Sequence, residues 1–179
     1  LERDVPGLRA VFLQGCAGNQ NPYRDVRSFE RVAEHGEAGC RAVRAALTGA
    51  SPATGLPLLN AGRQAELPLR DGGTWPCPVH GLRIGDAALV GLGGEAFVEY
   101  ALYGRQRSAA RSTMVLGYSD GSVGYLPTEA AYTEGGYEVS ANQYFPVGRP
   151  WDPSVEGVLR GQIDAVLQEL GVSGDAPGG

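Results

Sequence analysis

The segment from Thr113 to Glu138 constrains the fold more than any other. It opens on an apolar run, Thr113-Met114-Val115-Leu116, which predicts a short buried strand. The residues that follow, GYSDGSVGYLPTEAAYTEGGYE, hold four of the chain's eight tyrosines, at 118, 125, 132 and 137. Five glycines and one proline interrupt them, so the stretch is predicted to be mostly loop, with one short helix. Loops hung on strand ends are where binding and catalytic side chains usually sit. A second apolar strand ends in Gly91-Leu92-Gly93-Gly94-Glu95 and delivers a carboxylate. If the two strand ends share one edge of a sheet, Glu95 and Tyr125 meet in one pocket despite the thirty residues between them.

The rest of the chain supplies a scaffold for these two ends. Leu8 to Leu13 reads as a buried strand, followed by a shaped loop, Gln14-Gly15-Cys16-Ala17-Gly18-Asn19-Gln20-Asn21-Pro22. Apolar residues at mostly three- and four-residue spacings predict a helix from Asp25 to Leu47, weakened by Gly36 and Gly39. Leu58 to Arg70 reads as extended, Asp71-Gly72-Gly73 as a turn, and Arg83 to Val90 as strand, Gly-Asp turn, strand. A helix is predicted from Glu95 to about Arg107 with Phe97, Val98, Ala101 and Leu102 on one face. Asp152-Pro153 predicts the start of a last helix. Its stripe runs Val155, Val158, Leu159, Gln162, Ile163, Val166, Leu167 and Leu170, and Gly171 stops it. Strands and helices mix without strict alternation, so the expected class is α/β or α+β around one mixed sheet flanked by helices. The expected organisation is one domain over residues 1–172 and a disordered tail over 173–179.

Composition narrows the function classes. With 179 residues and 42% apolar residues the chain can bury a sizeable core. A net charge of −5 argues against a general nucleic-acid binder. All fifteen basic residues are arginine, which we read as the coding bias of a GC-rich genome. No apolar run approaches the roughly 18 residues of a membrane helix. Cys16, Cys40 and Cys77 form no close pair, which argues against a disulfide scaffold or a zinc knot and for buried small hydrophobes.

Three constellations carry chemistry on paper. Gly117-Tyr118-Ser119-Asp120-Gly121 matches the G-x-S-x-G nucleophile elbow, but that motif needs a helix directly after the serine and a later histidine. Here Gly121, Gly124 and Pro127 follow, and His35 and His80 come earlier, so a plain turn is the better reading. Cys16 with His80 as base is a thiol-histidine pair, set against a buried cysteine beside a loop. The third is the carboxylate of Glu95 with the phenols of the tyrosine stretch. A glutamate at a helix start is also favoured by the dipole alone, and spaced tyrosines also serve as packing residues.

Three segments in order tip the balance toward chemistry. Gly124-Tyr125-Leu126-Pro127-Thr128, with Ala131-Tyr132 and Gly136-Tyr137-Glu138, resembles the Y-[IVL]-T-T-x-E-E-Y-x-x-x-x-Y-E segment of neutral/alkaline non-lysosomal ceramidases. Leu92-Gly93-Gly94-Glu95 resembles their L-P-G-E, and Gly18-Asn19-Gln20-Asn21-Pro22 their G-D-V-[SN]-P loop. The resemblance spans roughly residues 8 to 145. It implies a zinc-dependent amidohydrolase domain that cleaves the amide of an N-acyl sphingoid or related lipid. It implies Glu95 and Tyr125 as metal ligands, Tyr137 as a second active-site tyrosine, and Asn21 at the position of an active-site serine. The departures are Gly93 for proline, Asn19 and Asn21 for aspartate and serine, and Ala130 and Ala131 for paired acids. They bear on substrate more than on metal binding.

In that family two histidine ligands precede the G-D-V-[SN]-P loop, so the resemblance implies that they lie in an absent N-terminal segment. The first residue is Leu1 and the only methionine is Met114, in keeping with this. The expectation is a partial catalytic domain, inactive and weak in zinc by itself, with its apolar faces uncovered and prone to associate. No nucleic acid and no transmembrane segment are expected, while membrane-surface contact and a secreted or periplasmic location are in keeping with the resemblance. The rival reading is an inactive relative that serves as a binding or structural domain.

Overall fold

The computed structural model describes residues 1–3, 5–22, 27–53 and 55–174. They form two compact units, one of Leu1–Leu13 with Asn21–Pro52 and one of Gln14–Gln20 with Ala53–Gly179.

The first unit is built on helix α1, Phe29–Thr48. Ser28 caps it, its Oγ accepting the Arg31 N–H at 3.3 Å, which satisfies one of the free donors of the first turn. The start predicted at Asp25 falls on residues outside those described. No α1 residue is buried, and Phe29 is 90% exposed. Leu8 to Leu13 corrects the expectation of a buried strand. It forms no strand, and Val11 and Phe12 are more than four-fifths exposed. An apolar run becomes a strand only where a neighbouring strand takes its backbone groups; here the Leu8 N–H donates to Val5 O at 3.1 Å and the Ala10 N–H to Glu2 Oε1 at 2.8 Å instead.

The second unit is an open mixed sheet of strands β1 (Leu58–Pro68), β2 (Thr74–Ile84), β3 (Ala87–Leu92) and β5 (Ser112–Leu116), in the order β1-β2-β3-β5. The first three form an antiparallel meander, and Gly85-Asp86 makes the predicted turn between β2 and β3. β5 then pairs parallel to β3, after the crossover helix α2, Val98–Arg107. Strand alternation sends Ala65, Leu67, Val79, Val90, Leu92 and Val115 to one face. There α5, Val155–Glu169, and α2 cover them, with Leu159, Ile163, Val166, Leu167 and Tyr100 fully buried. The predicted stripe of α5 is therefore the core stripe, and Gln162 at its edge accepts a hydrogen bond from Arg63 Nε at 2.7 Å. The opposite sheet face leaves Leu58, Ile84 and Met114 exposed.

Local boundaries differ from the sequence reading in four places. Glu95 does not start a helix: Glu95–Ala96 is a short strand, β4, and α2 begins at Val98. Consequently Tyr100 and Gly104 join Ala101 on the buried face, and Leu102 is 57% exposed. The tyrosine stretch opens a strand, β6 (Tyr125–Leu126), and two short helices instead of one, α3 (Glu129–Glu134) and α4 (Tyr137–Ser140). Asp152 acts one step before the last helix: its Oδ1 accepts the Ser154 N–H at 2.9 Å, and Ser154 is the cap residue. Of the predicted tail, Ser173 and Gly174 are tied to Ser108 and Arg107.

Candidate functional site

The site begins with backbone. Strands β4 and β6 pair in parallel, with Glu95 opposite Tyr125 and Ala96 opposite Leu126. The Glu95 N–H donates to Gly124 O at 2.8 Å, and the Phe97 N–H to Leu126 O at 3.2 Å. From the other side, the Gly18 N–H donates to Ala96 O at 2.9 Å. The Gly18, Gly94-Glu95 and Gly124-Tyr125 motifs, far apart in the chain, are thus three adjacent backbone segments. The glycines are what let them touch. A Cβ at Gly18 would lie 2.4 Å from Glu95 O, and one at Gly94 would lie 2.7 Å from Gly124 O. Gly124 also has φ +95, a conformation open to glycine at little cost.

Two buried polar groups lock Tyr125 in register. Asn142, 1% exposed, accepts the Tyr125 N–H on Oδ1 at 2.9 Å and donates from Nδ2 to Tyr125 O at 3.1 Å. The fully buried Trp151 donates from Nε1 to the same carbonyl at 2.8 Å. The Tyr125 ring stands edge-on to Tyr137, with centroids 5.8 Å apart, and to Phe145 at 5.9 Å.

One carboxylate and two phenols meet here. Burial pushes the Tyr125 phenol up to about 12, helped by the charge and hydrogen bonding of Glu95. Burial, together with a hydrogen bond to the same carboxylate and its charge, also raises Tyr118 to about 12. Both phenols are therefore protonated at neutral pH. Tyr137 lies on the open side, 59% exposed, at the start of α4.

Other sequence candidates take different places. Asn19 caps α2: its Oδ1 accepts the Val98 N–H at 2.9 Å, and its Nδ2 donates to Glu99 Oε2 at 2.9 Å. Glu99, not Glu95, is the acidic residue of that first turn. Asn21 belongs to the other compact unit. Tyr132 has its ring beneath the Arg70 guanidinium at 5.6 Å and its buried hydroxyl without a hydrogen-bond partner. Cys16 is buried, its Sγ donates toward Val115 O, and burial pushes the thiol up to about 12, so it supplies no thiolate. No helix follows Ser119; it sits in a tight turn, its N–H donating to Leu92 O at 2.9 Å. His80 Nδ1 lies 3.2 Å from Asp120 Oδ2 at the surface.

A cavity of about 270 Å³ adjoins these elements, lined by Asn19, Phe97, Glu99, Thr128, Glu134 and Glu138 among others. The negative charge of Glu138 also reaches Tyr125. Among the described residues, no group of three or more histidine, cysteine, aspartate or glutamate side chains is placed to hold a metal ion. The donors at Glu95 and Tyr125 are oxygens, which suit part of a zinc shell but not the nitrogen or sulfur share that tight sites carry.

Sequence reading missed Asn142, Trp151 and Tyr118. The first two carry no motif, and Tyr118 was visible only as one of a set of tyrosines.

No family model matches the chain, and no curated protein matches it. Among solved structures, the chain is similar to neutral ceramidase from Pseudomonas aeruginosa, with 15% identity and a TM-score of 0.47. The similarity covers 69% of this chain and 31% of that one, so the chain spans about a third of the ceramidase's length.

Proposed function

We propose that this chain is part of a zinc-dependent amidohydrolase domain that cleaves the amide of an N-acyl sphingoid or related lipid. The observation that carries this reading is the convergence of three motif segments on one carboxylate–phenol cluster, with Glu95 and Tyr125 as strand partners. Packing alone requires no carboxylate between two phenols. Glu95 and Tyr125 would hold the metal, and histidine ligands would come from sequence outside these 179 residues. His80 is engaged with Asp120, and His35 lies on α1 in the other unit. When bound, zinc supplies Lewis-acid polarisation of an amide carbonyl and a water that is deprotonated near neutral pH.

The chain's own residues have separate tasks. Glu95 is a fixed oxygen donor because its backbone is clamped between Gly18 and Gly124. Tyr125 must release its proton to bind a metal, and its raised phenol makes that costly until further positive charge is present. Tyr137, free on the open side and in ring contact with Tyr125, is placed to donate to charge developing on a substrate oxygen.

The test compares the 179-residue chain with the same chain joined to its upstream coding sequence. Metal is measured by mass spectrometry after dialysis, and turnover with a fluorescent N-acyl sphingosine. The longer protein is expected to hold zinc and to turn over, while the shorter one binds zinc weakly and is inactive. Absence of metal and turnover in both would favour a binding or structural domain. Near-stoichiometric zinc with turnover in the shorter chain would show that its own histidines complete the site.

A further inference from the structure

We propose that the cavity lined by α2, α3 and α4 binds a small primary amine in its protonated form, an alkylammonium ion. The proposal makes no use of the zinc reading. Three carboxylates line the cavity: Glu99 from α2, Glu134 from the end of α3 and Glu138 from α4. No arginine or histidine is among its lining residues. Phe97, Thr128 and Ala131 form its inner wall, each more than nine-tenths buried. Thr128 points to a ligand independently of the charges. It holds the N-cap position of α3, where a threonine hydroxyl ordinarily accepts an N–H of the first turn. Here the side chain makes no cap bond. The Ala131 N–H donates to Thr128 O at 3.2 Å, and the Glu129 N–H to Glu156 Oε2 at 2.6 Å. The hydroxyl of this residue, 7% exposed, is left at the cavity wall with no hydrogen bond among the described residues. A buried hydroxyl in that state is costly until a ligand or water satisfies it.

The placement of the carboxylates selects an organic cation over a metal ion. Among the described residues no three ligating side chains converge closely enough to hold a metal, whose bonds to oxygen are only about 2.0–2.6 Å. An ammonium reaches farther, at about 2.7–2.9 Å per N–H···O bond, and sends three donors to separate acceptors. The carboxylates supply the opposite charge, and the Thr128 hydroxyl supplies a neutral acceptor deeper in the wall. Glu99 also accepts from Asn19 Nδ2 at 2.9 Å, which fixes its carboxylate on the α2 side. Phe97 and Val139 line the same cavity and suit a short alkyl stem, as apolar surface suits the methylenes of a lysine. The cavity of about 270 Å³ holds an ammonium with a chain of about four carbons, at roughly 30 Å³ per water-sized group.

Amide NMR of the 179-residue chain reads the binding, with n-butylammonium chloride as the probe. The controls are n-butanol, which lacks the charge, tetramethylammonium chloride, which lacks N–H donors, and sodium chloride. n-Butylammonium is expected to move the Phe97, Thr128, Ala131 and Val139 resonances to saturation, and the controls are expected not to. Glu134→Gln combined with Glu138→Gln should weaken the amine at least about 10-fold, as loss of hydrogen bonds to charged groups does. Thr128→Val removes the hydroxyl and nearly keeps the shape. It should weaken the amine about 3-fold and leave the melting temperature unchanged or higher, because it deletes a buried polar group that the fold does not satisfy. No saturable shift with n-butylammonium overturns the proposal. Equal shifts with sodium or tetramethylammonium chloride would reduce the cavity to an unspecific counter-ion patch, and equal shifts with n-butanol to an apolar hollow; either result also overturns it. So would an affinity left unchanged by the paired glutamines or by Thr128→Val, and so would a lowered melting temperature in Thr128→Val, which would mean that the fold itself uses the hydroxyl.

Discussion

Replacing Asn142 by alanine tests whether the site is held by buried polar contacts at some distance from its chemistry. Asn142 is 1% exposed, and both ends of its carboxamide are spent on the backbone of Tyr125. The two bonds are not equivalent. Tyr125 O keeps the Trp151 indole as a donor when Asn142 is truncated, whereas the Tyr125 N–H loses its acceptor. Leaving one buried N–H unsatisfied costs about 1–3 kcal/mol. The small void adds about 0.5–1 kcal/mol. Asn142→Ala should therefore lower stability by about 2–3 kcal/mol, or about 5–10 °C in Tm for a domain of this size. Urea unfolding followed by tryptophan fluorescence measures it, since Trp151 is fully buried and in the same network. Asn142→Asp sharpens the test. It keeps the acceptor but buries a carboxyl group that is neutral in the fold, raising its folded pKa above the unfolded value of about 3.9. The extra loss should be small below that pH and grow as pH rises through it. A fall below about 0.5 kcal/mol for Asn142→Ala, given the unpaired-donor cost, would refute the claim that this residue sets the position of Tyr125.

Three further outcomes follow from the same geometry. Asn19→Ala removes the cap of α2 and should cost about 1 kcal/mol, read from the same urea curves; no change would mean that Asn19 does not cap the helix. Tyr118 and Tyr125 are raised to about 12, above an ordinary phenol near 10, so their contribution to stability is full below about pH 10 and is lost as pH rises toward 12. Absorbance at about 295 nm should show the phenolate steps of these two residues last among the solvent-accessible tyrosines, and their loss from that late step in Tyr118→Phe and Tyr125→Phe identifies them. Tyr137→Phe, in the protein extended upstream, should leave zinc content unchanged and lower turnover by about 10²-fold; equal loss of metal and turnover would make Tyr137 a ligand or a folding residue.

Local sequence determined the elements whose cause is local. The apolar stripe of α5 from Val155 to Leu170 is read from helical period alone, and the helix buries that stripe. The Gly85-Asp86 turn is read from residues that accept its geometry, and β2 and β3 meet there. Two apolar strands with a common sheet edge pointed to Glu95 and Tyr125 as neighbours, and glycines at Gly18, Gly94 and Gly124 permit the close backbone approach by which they meet. Tertiary structure decided what depends on partners distant in the chain. Glu95 lies in a strand and not at a helix start because Gly124 and Leu126 take the hydrogen bonds of its segment. Leu8 to Leu13 has strand composition but no strand, because composition cannot supply the neighbour that a ladder needs. Asn142 and Trp151 earn their places by hydrogen bonds to one backbone unit, 17 and 26 residues away, and no spacing rule encodes such a contact. Tyr118 sits in a left-handed turn fixed by Gly94 O, a conformation that tyrosine alone would avoid and that only the assembled sheet end imposes.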